Sequence, residues 1–230
     1  MKRLLGIETS GQTGSVAFVE GERVVHFARL SEANRHAEET LPQIERALAE
    51  LGWDKSSLDA VAVGRGPGSF TGLRVGLAVA SGLRLGLGLR TFGFGSLRVA
   101  AACACIDGQG SLVRGAPGER LVVIRDARRE EVFAGLYDEA WAELEPARTW
   151  PKAQVGENVA AWVGDQPHRQ VTEEPDARGA ALLGALALAA SAGRADTESD
   201  ELESLTPEYV RDAGATPQVL LTSPLLDPRR

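Results

Sequence analysis

The sequence predicts an α/β protein, and three patterns indicate this class. Short apolar runs typical of strands alternate in the first half with stretches in which apolar residues recur at helical spacing. A glycine-rich connector over 107–118 follows, and a second set of strands then begins with a hairpin. We therefore predict an N-terminal domain over 1–106, a C-terminal domain over 107–212 and a mobile tail over 213–230.

The first elements form an antiparallel meander followed by a helix. Three strands are predicted at Leu4–Glu8, Ser15–Glu20 and Arg23–Leu30, with Glu20-Gly21-Glu22 as the tight turn between the last two. An amphipathic helix follows from about Asn34 to Leu51, with charged residues on its outer face. A proline cannot donate its backbone hydrogen bond, so Pro42 is expected to end the first turn of this helix or to kink it.

The stretch around which the chain is organised comes next. It contains a short strand at Val61–Val63, a glycine-proline loop at Gly64–Gly68 and a long helix from Ser69 or Thr71 to about Leu85. A strand, a glycine turn and a helix together aim several backbone N–H groups at one point. That arrangement suits an anion or the carboxylates of another protein.

Small residues recur every fourth position of this helix, at Gly72, Gly76 and Ala80. A glycine inside a helix costs about 1 kcal/mol relative to alanine, so the stripe predicts close packing of another backbone. That backbone could belong to this chain's own first helix or to a partner protein. The helix is apolar nearly all round, which favours burial on several sides and, in this case, a partner.

The remaining strands and helices are predicted clearly in some stretches and only as short elements in others. A strand near Arg90–Phe94 and a helix from about Ser96 to Cys105 complete the first half. In the second half, strands are predicted at 120–125 and 131–137 around the charged hairpin 126–130, and a helix is predicted at about 176–192. Residues 141–175 show only short elements near Trp150 and 161–164.

Composition and charge exclude several classes. The chain has 230 residues and a formal net charge of −7, which argues against a protein that binds nucleic acid without a partner. The first residues lack the apolar core of a signal peptide, and arginines and glycines interrupt the apolar stretch 73–89, so we expect a cytoplasmic protein without a membrane span. Cys103 and Cys105 are interpreted as buried fillers.

No catalytic motif stands out. The loop Gly64–Gly68 lacks the Gly-Lys-Ser/Thr ending of a P-loop, and the three histidines lack metal-ligand spacing. Asp126, Arg128 and Arg129 are interpreted as a solvated hairpin, with contact to tRNA or a partner as the alternative. These observations leave the glycine-striped helix as the main candidate for a functional surface.

Five segments together resemble the TsaB family, over residues 3 to 211. The segments are LLGIETSGQTGSVAF, HAEETLPQIERAL, GRGPGSFTGLRVGLAVASGL, RDARREEVFAGLYD and TPEYVR. The resemblance implies an actin-like ATPase fold, related to ribonuclease H, with two lobes of which the second is reduced. It also implies that the chain is a non-catalytic, pseudoenzyme subunit in the synthesis of threonylcarbamoyladenosine beside the tRNA anticodon.

The resemblance also implies partners. TsaD, the catalytic relative, carries a His-x-x-x-His metal site, whereas the corresponding stretch here, Thr91–Leu97, has no histidine. The expected partners are a TsaD-like subunit, a TsaE-like ATPase and, in their absence, a second copy of the chain, with tRNA bound only through the complex. The implied interface residues are Ser69, Phe70, Thr71, Gly72, Leu73, Arg74, Gly76, Leu77, Ala80 and Leu83.

A second hypothesis is an enzyme in its own right, either an ATPase of sugar-kinase type or a glycoprotease-like peptidase. Glu8, Thr9 and Ser10 lie where actin-like ATPases place their first phosphate loop, so they are candidates for a vestigial nucleotide site. Glu8 could hold a hydrated Mg²⁺ or simply accept hydrogen bonds from the loop. No cofactor is expected beyond weak ATP or ADP binding at this loop.

Overall fold

The computed structural model describes residues 1–31, 35–191 and 205–210. The predicted mobile tail over 213–230 lies outside the described residues, as does Asn34, the predicted start of the first helix. The described chain contains two sheets with helices on their faces. From one side of the molecule to the other, the layers are helices, sheet, helices, sheet and helix.

The first sheet has five strands, in the spatial order β3-β2-β1-β4-β5. Strands β1 to β3 form the predicted antiparallel meander, and β4 and β5 run parallel to β1. The strands are β1 (Arg3–Glu8), β2 (Ser15–Glu20), β3 (Arg23–Arg29), β4 (Ala60–Gly64) and β5 (Arg90–Phe94). The central strands β1 and β4 are almost completely buried, which explains their continuous apolar sequences.

Two helices cover one face of this sheet, α1 (His36–Leu51) and α2 (Phe70–Leu87). Ile44 and Leu48 of α1 and Leu77 of α2 pack on the inward side chains of the strands. We expected Pro42 to end the first turn of α1 or to kink it. It does not end the helix, because α1 continues to Leu51. Pro42 has no backbone N–H, so the helix lacks the hydrogen bond to the Glu38 carbonyl, but it continues past this position.

The opposite face of the first sheet is covered by α3 (Ser96–Cys103) and α5 (Ala177–Ala190). Helix α5 packs directly on β1 and β4: a Cβ atom at Gly6 would overlap the Ala177 carbonyl oxygen, and one at Gly184 would lie 2.8 Å from Ala62. Residues late in the chain therefore complete the core of the first sheet.

The second sheet has four strands in the order β8-β7-β6-β9, with the helix α4 (Val155–Val163) on its outer face. The strands are β6 (Arg120–Arg128), β7 (Glu131–Tyr137), β8 (Glu143–Pro151) and β9 (His168–Val171). The sequence predicts the hairpin of β6 and β7, whereas it does not predict most of β8 or any of β9.

The turn of the β6–β7 hairpin contains residues that disfavour the positive φ angles it requires. Arg129 and Glu130 have φ angles of 51° and 60°, and Arg128 before them has 66°. A two-residue hairpin turn with two positive φ angles favours Asn-Gly. We expect the double substitution Arg129→Asn and Glu130→Gly to raise the free energy of unfolding by about 1 kcal/mol, measured by urea denaturation. An unchanged urea midpoint would contradict the strained turn.

The parallel pairing of β1 and β4 places their carboxyl ends side by side, with Ile7 opposite Val63. The loop after β1 and the glycine-proline loop after β4 therefore meet at one edge of the sheet. Helix α2 starts from this edge.

Candidate partner-docking site

The start of α2 is fixed by the loop that follows β1. Ser69 caps the helix, and its hydroxyl oxygen accepts a hydrogen bond from the Gly72 N–H at 3.3 Å. The Ser69 N–H donates to the Ser10 carbonyl at 2.8 Å, and the Thr9 hydroxyl donates to the Gly72 carbonyl at 2.8 Å. The loop and the first turn of the helix are thus one hydrogen-bonded unit.

The inner face of α2 explains the small-residue stripe. A Cβ atom at Gly72 would overlap the Thr9 carbonyl oxygen, and one at Gly76 would overlap the Thr9 hydroxyl. Half of the predicted interface residues therefore contact this chain's own sheet and loop, and any contact of theirs with a partner stays a prediction. These residues are buried on β1, β4 and the loop: Gly72, Leu73, Gly76, Leu77 and Ala80.

The outer face of α2 lines a groove of about 400 Å³ beside the start of α1. Of the remaining predicted interface residues, Ser69, Phe70, Thr71 and Arg74 are exposed and Leu83 is half-buried. We call this surface the α2 groove, and its lining residues are Ala37, Phe70, Thr71, Arg74, Val75, Ala78 and Val79.

Three side chains form a stack at one end of the α2 groove. The Phe70 ring is 53% exposed, and the Arg74 guanidinium carbon lies 3.8 Å from its centroid. The Tyr209 ring lies 5.6 Å from the Phe70 ring. Aromatic rings and arginine are the residues that most often dominate binding energy at protein interfaces. This end of the groove therefore has the composition of a binding hot spot.

Residues 205–210, which we call the strap, bring Tyr209 to this position. The Glu208 N–H donates to the Arg65 carbonyl at 2.6 Å, and the two side chains approach to 3.8 Å. A Cβ atom at Gly66 would overlap the Glu208 carbonyl oxygen, so only glycine fits beneath the strap. Burial raises the pKa of Glu208. The strap thus lies across the glycine-proline loop.

A buried carboxylate connects the loop after β1 with the glycine-proline loop after β4. Glu8 is fully buried and accepts hydrogen bonds from the Ser10 N–H at 2.8 Å and the Ser96 hydroxyl at 3.2 Å. The Ser96 oxygen in turn accepts from the Gly66 N–H at 3.1 Å. Burial raises the pKa of Glu8 above 4.5, whereas these hydrogen bonds and the nearby Arg125 charge act to lower it.

The residues around the candidate nucleotide loop do not fit a nucleotide phosphate. Glu8, Thr9 and Ser10 are all buried and hydrogen-bonded within the chain. Beside Gly11 lies the carboxylate of Glu174, which is paired with Arg125. The Thr9 hydroxyl and the Ser10 N–H already donate within the chain, so neither offers a free donor to a phosphate.

A buried histidine, His36, begins the first turn of α1. His36 is 3% exposed, and neither of its ring nitrogens has a hydrogen-bond partner. A Cβ atom at Gly14 would lie 3.4 Å from this ring, so the histidine fills the space between α1 and the end of the β1–β2 loop. Burial lowers the pKa of His36, and the charge of Glu39 partly opposes this shift.

This environment predicts a pH-dependent stability. Because the folded pKa of His36 is below 6.5, the unfolded chain binds the proton first as the pH falls. The free energy of unfolding should therefore decrease below about pH 6.5. We expect His36→Phe to remove this contribution and to stabilise the chain by about 1 kcal/mol at pH 7.5, because no buried polar group stays unpaired. Urea denaturation at pH 5.5 and 7.5 measures both effects, with the exposed His168→Phe as control.

Comparison with known proteins identifies the family. The family model described as TsaD, tRNA N6-adenosine threonylcarbamoyltransferase, matches residues 31–149, just over half of the chain. Two relatives are named tRNA threonylcarbamoyladenosine biosynthesis protein TsaB. The one from Haemophilus influenzae is 36% identical over 130 residues, and the one from Escherichia coli is 34% identical over 144 residues. The chain belongs to the TsaB branch of this family.

The two matches cover 56% and 62% of this chain, and 51% and 55% of the TsaB relatives. The chain thus spans about half the length of the curated relatives that it matches. These matches confirm the family that the five sequence segments indicated.

Solved structures confirm the fold of this TsaB chain. The structure described as YeaZ from Pseudomonas aeruginosa has a TM-score of 0.67 at 27% identity, covering 91% of this chain and 100% of that chain. A second structure from that organism, described as similar to peptidase YEAZ, has a TM-score of 0.68 at 26% identity and covers 92% and 100%. The predicted actin-like ATPase fold with a reduced second lobe is confirmed.

Sequence reasoning did not identify part of this TsaB groove. Val75, Ala78 and Val79 lie opposite the glycine stripe, and the helical period alone could have placed them on the outer face. Tyr209 gave no such signal, because its position depends on how the strap crosses the glycine-proline loop. Ala37 likewise depends on the angle between α1 and α2.

Proposed function

We propose that this TsaB chain is a non-catalytic subunit that docks a TsaD-like protein through the α2 groove. The complex would make N6-threonylcarbamoyladenosine next to the tRNA anticodon, in the cytoplasm. One observation carries the proposal: α2 is apolar and long enough to cross a membrane, yet only 28% of its 18 residues are buried within the chain. A large exposed apolar surface on a folded domain marks a site where another molecule binds.

Other features indicate that the molecule that binds α2 is a protein and not a membrane. Both ends of α2 are capped and its inner face packs on the sheet, so the helix is an integral part of the fold. Arg74 lines the groove and offers its guanidinium to a partner carboxylate. Helix α2 itself contains no acidic residue, so the complementary charge must come from elsewhere.

We propose further partners besides the TsaD-like protein. A TsaE-like ATPase would join the complex, and tRNA would bind only through it, because the chain alone carries a net charge of −7. Without the TsaD-like protein, a second copy would cover the groove as a homodimer.

Co-purification with the TsaD-like protein of the same cell, followed by a tRNA modification assay, tests the proposal. We expect a stable complex and modification that requires both proteins. Modification at full rate without this chain would overturn the proposal.

The alternative of an independent ATPase, kinase-like enzyme or peptidase has less support. Within residues 1–31, 35–191 and 205–210, no three histidine, cysteine or acidic side chains are grouped to hold a metal. Calorimetry of the isolated chain with ATP and Mg²⁺ separates the hypotheses. Binding tighter than about 10 μM would favour the enzyme.

A further inference from the structure

The strap fits closely against two glycine residues on its inner side. A Cβ atom at Gly66 would overlap the Glu208 carbonyl oxygen, and a Cβ atom at Gly95 would lie 3.2 Å from the Glu208 carboxylate. Gly66 belongs to the glycine-proline loop, whereas Gly95 is the residue before α3. Two separate loops therefore leave room for the same strap residue, and we call this space the strap seat.

Few contacts hold the strap in its seat. The Glu208 N–H donates to the Arg65 carbonyl, but the two side chains are 3.8 Å apart and are 28% and 35% exposed. An ion pair this exposed contributes at most about 1 kcal/mol. Leu205 packs on the core of the first sheet while it stays partly exposed. Segments with few buried contacts open at a low free energy, so the strap can leave its seat while the domain stays folded.

Tyr209 adds an aromatic wall to the α2 groove without filling it. Tyr209 is 45% exposed, and its ring lies 5.6 Å from the Phe70 ring. Phe70 lines the groove, whereas Tyr209 lies beside the lining residues, so the groove stays open while the strap is seated. The Phe70 ring also carries the Arg74 guanidinium, at 3.8 Å. A partner that covers Phe70 therefore meets Tyr209 as well.

We propose that the seated strap is part of the docking surface and that Tyr209 contacts the TsaD-like partner. The partner surface that fits has an apolar group for the Phe70 and Tyr209 rings and a carboxylate for Arg74, since α2 itself has no acidic residue. The partner contacts Tyr209 only while the strap is seated, so docking and seating stabilise each other. This inference rests on the proposed function.

Affinity measurements with three variants of the full chain test the role of the strap. Tyr209→Ala removes the ring, and Glu208→Pro removes the N–H that holds the strap to the Arg65 carbonyl. We expect each variant to bind the TsaD-like protein about tenfold more weakly than the parent chain. Glu208→Gln keeps the N–H, so its affinity should stay within about twofold of the parent value.

All three variants should keep the parent urea midpoint, because the strap is partly exposed and neither residue lies in the core of a sheet. Neither residue lines the groove. A parent-like affinity for both Tyr209→Ala and Glu208→Pro would therefore overturn the proposal.

Hydrogen exchange measures the coupling at the strap itself. Mass spectrometry follows the peptide that contains residues 205–210 in the free chain and in the complex. We expect slower exchange in the complex of the parent chain and less slowing in the complex of Tyr209→Ala at saturating partner. Faster exchange in the complex would mean that the partner displaces the strap, which would overturn the proposal.

Ala78→Glu separates the failure of this inference from the failure of the proposed function, because Ala78 lines the groove itself. If Ala78→Glu weakens binding while Tyr209→Ala and Glu208→Pro bind like the parent chain, docking through the groove stands and the strap has no part in it. If the parent chain does not bind the TsaD-like protein, the proposed function fails and the role of the strap fails with it.

Discussion

Ala78→Glu is expected to weaken association with the TsaD-like partner about 100-fold or more, equivalent to about 2.7 kcal/mol. Ala78 lines the α2 groove on its exposed side, so a partner seated there would meet a longer, charged side chain in an apolar groove. A glutamate four residues after Arg74 would also compete for its guanidinium. The affinity is measured by titrating the two purified proteins.

The fold should tolerate this substitution, because the side chain points to solvent and glutamate is a good helix former. Ala160→Glu provides a matched control, since Ala160 is an exposed helical alanine on the far side of the second sheet. The control should bind the partner like the parent chain, and both variants should keep the parent urea midpoint. A parent-like affinity for Ala78→Glu would show that docking uses another surface.

The sequence predicted those elements whose burial is visible in a regular pattern. Strands β1, β2 and β4 are buried on both faces and appear as continuous apolar runs, and α1 shows a clear apolar stripe. Strand β8 escaped prediction because it is an exposed edge strand with charges and proline throughout, interrupted by bulges in its pairing. Strand β9 has four residues, of which only Val171 is buried.

The sequence predicted the close packing on α2 but not which chain provides the packed backbone. The stripe of Gly72, Gly76 and Ala80 showed correctly that another backbone packs closely on α2. A sequence pattern cannot say to which chain that backbone belongs, and in this protein it is the Thr9 loop of the same chain. The surface that we propose for a partner is therefore the opposite side of the helix, which lines the α2 groove.

Removing the Glu8 carboxylate is expected to produce the largest loss of stability. Glu8→Ala leaves the Ser10 N–H and the Ser96 hydroxyl without their buried acceptor and opens a cavity at the Glu8 side chain. A buried donor left without its acceptor typically costs about 1–3 kcal/mol, and two donors are affected here. Urea denaturation should therefore show a much lower midpoint for Glu8→Ala, and a loss below about 1 kcal/mol would contradict this network.

Glu8→Gln separates the charge from the hydrogen bonds, since glutamine keeps one acceptor and similar volume. Burial raises the folded pKa of Glu8 above 4.5, so the native chain holds its proton to a higher pH than the unfolded chain. As the pH rises through the folded pKa, the parent chain loses the stability that the neutral acid provides, whereas the glutamine variant does not. The urea midpoint of Glu8→Gln should therefore move upward relative to the parent midpoint between pH 5 and pH 8. A shift in the opposite direction would mean that Arg125 and the hydrogen bonds outweigh the cost of burying the charge.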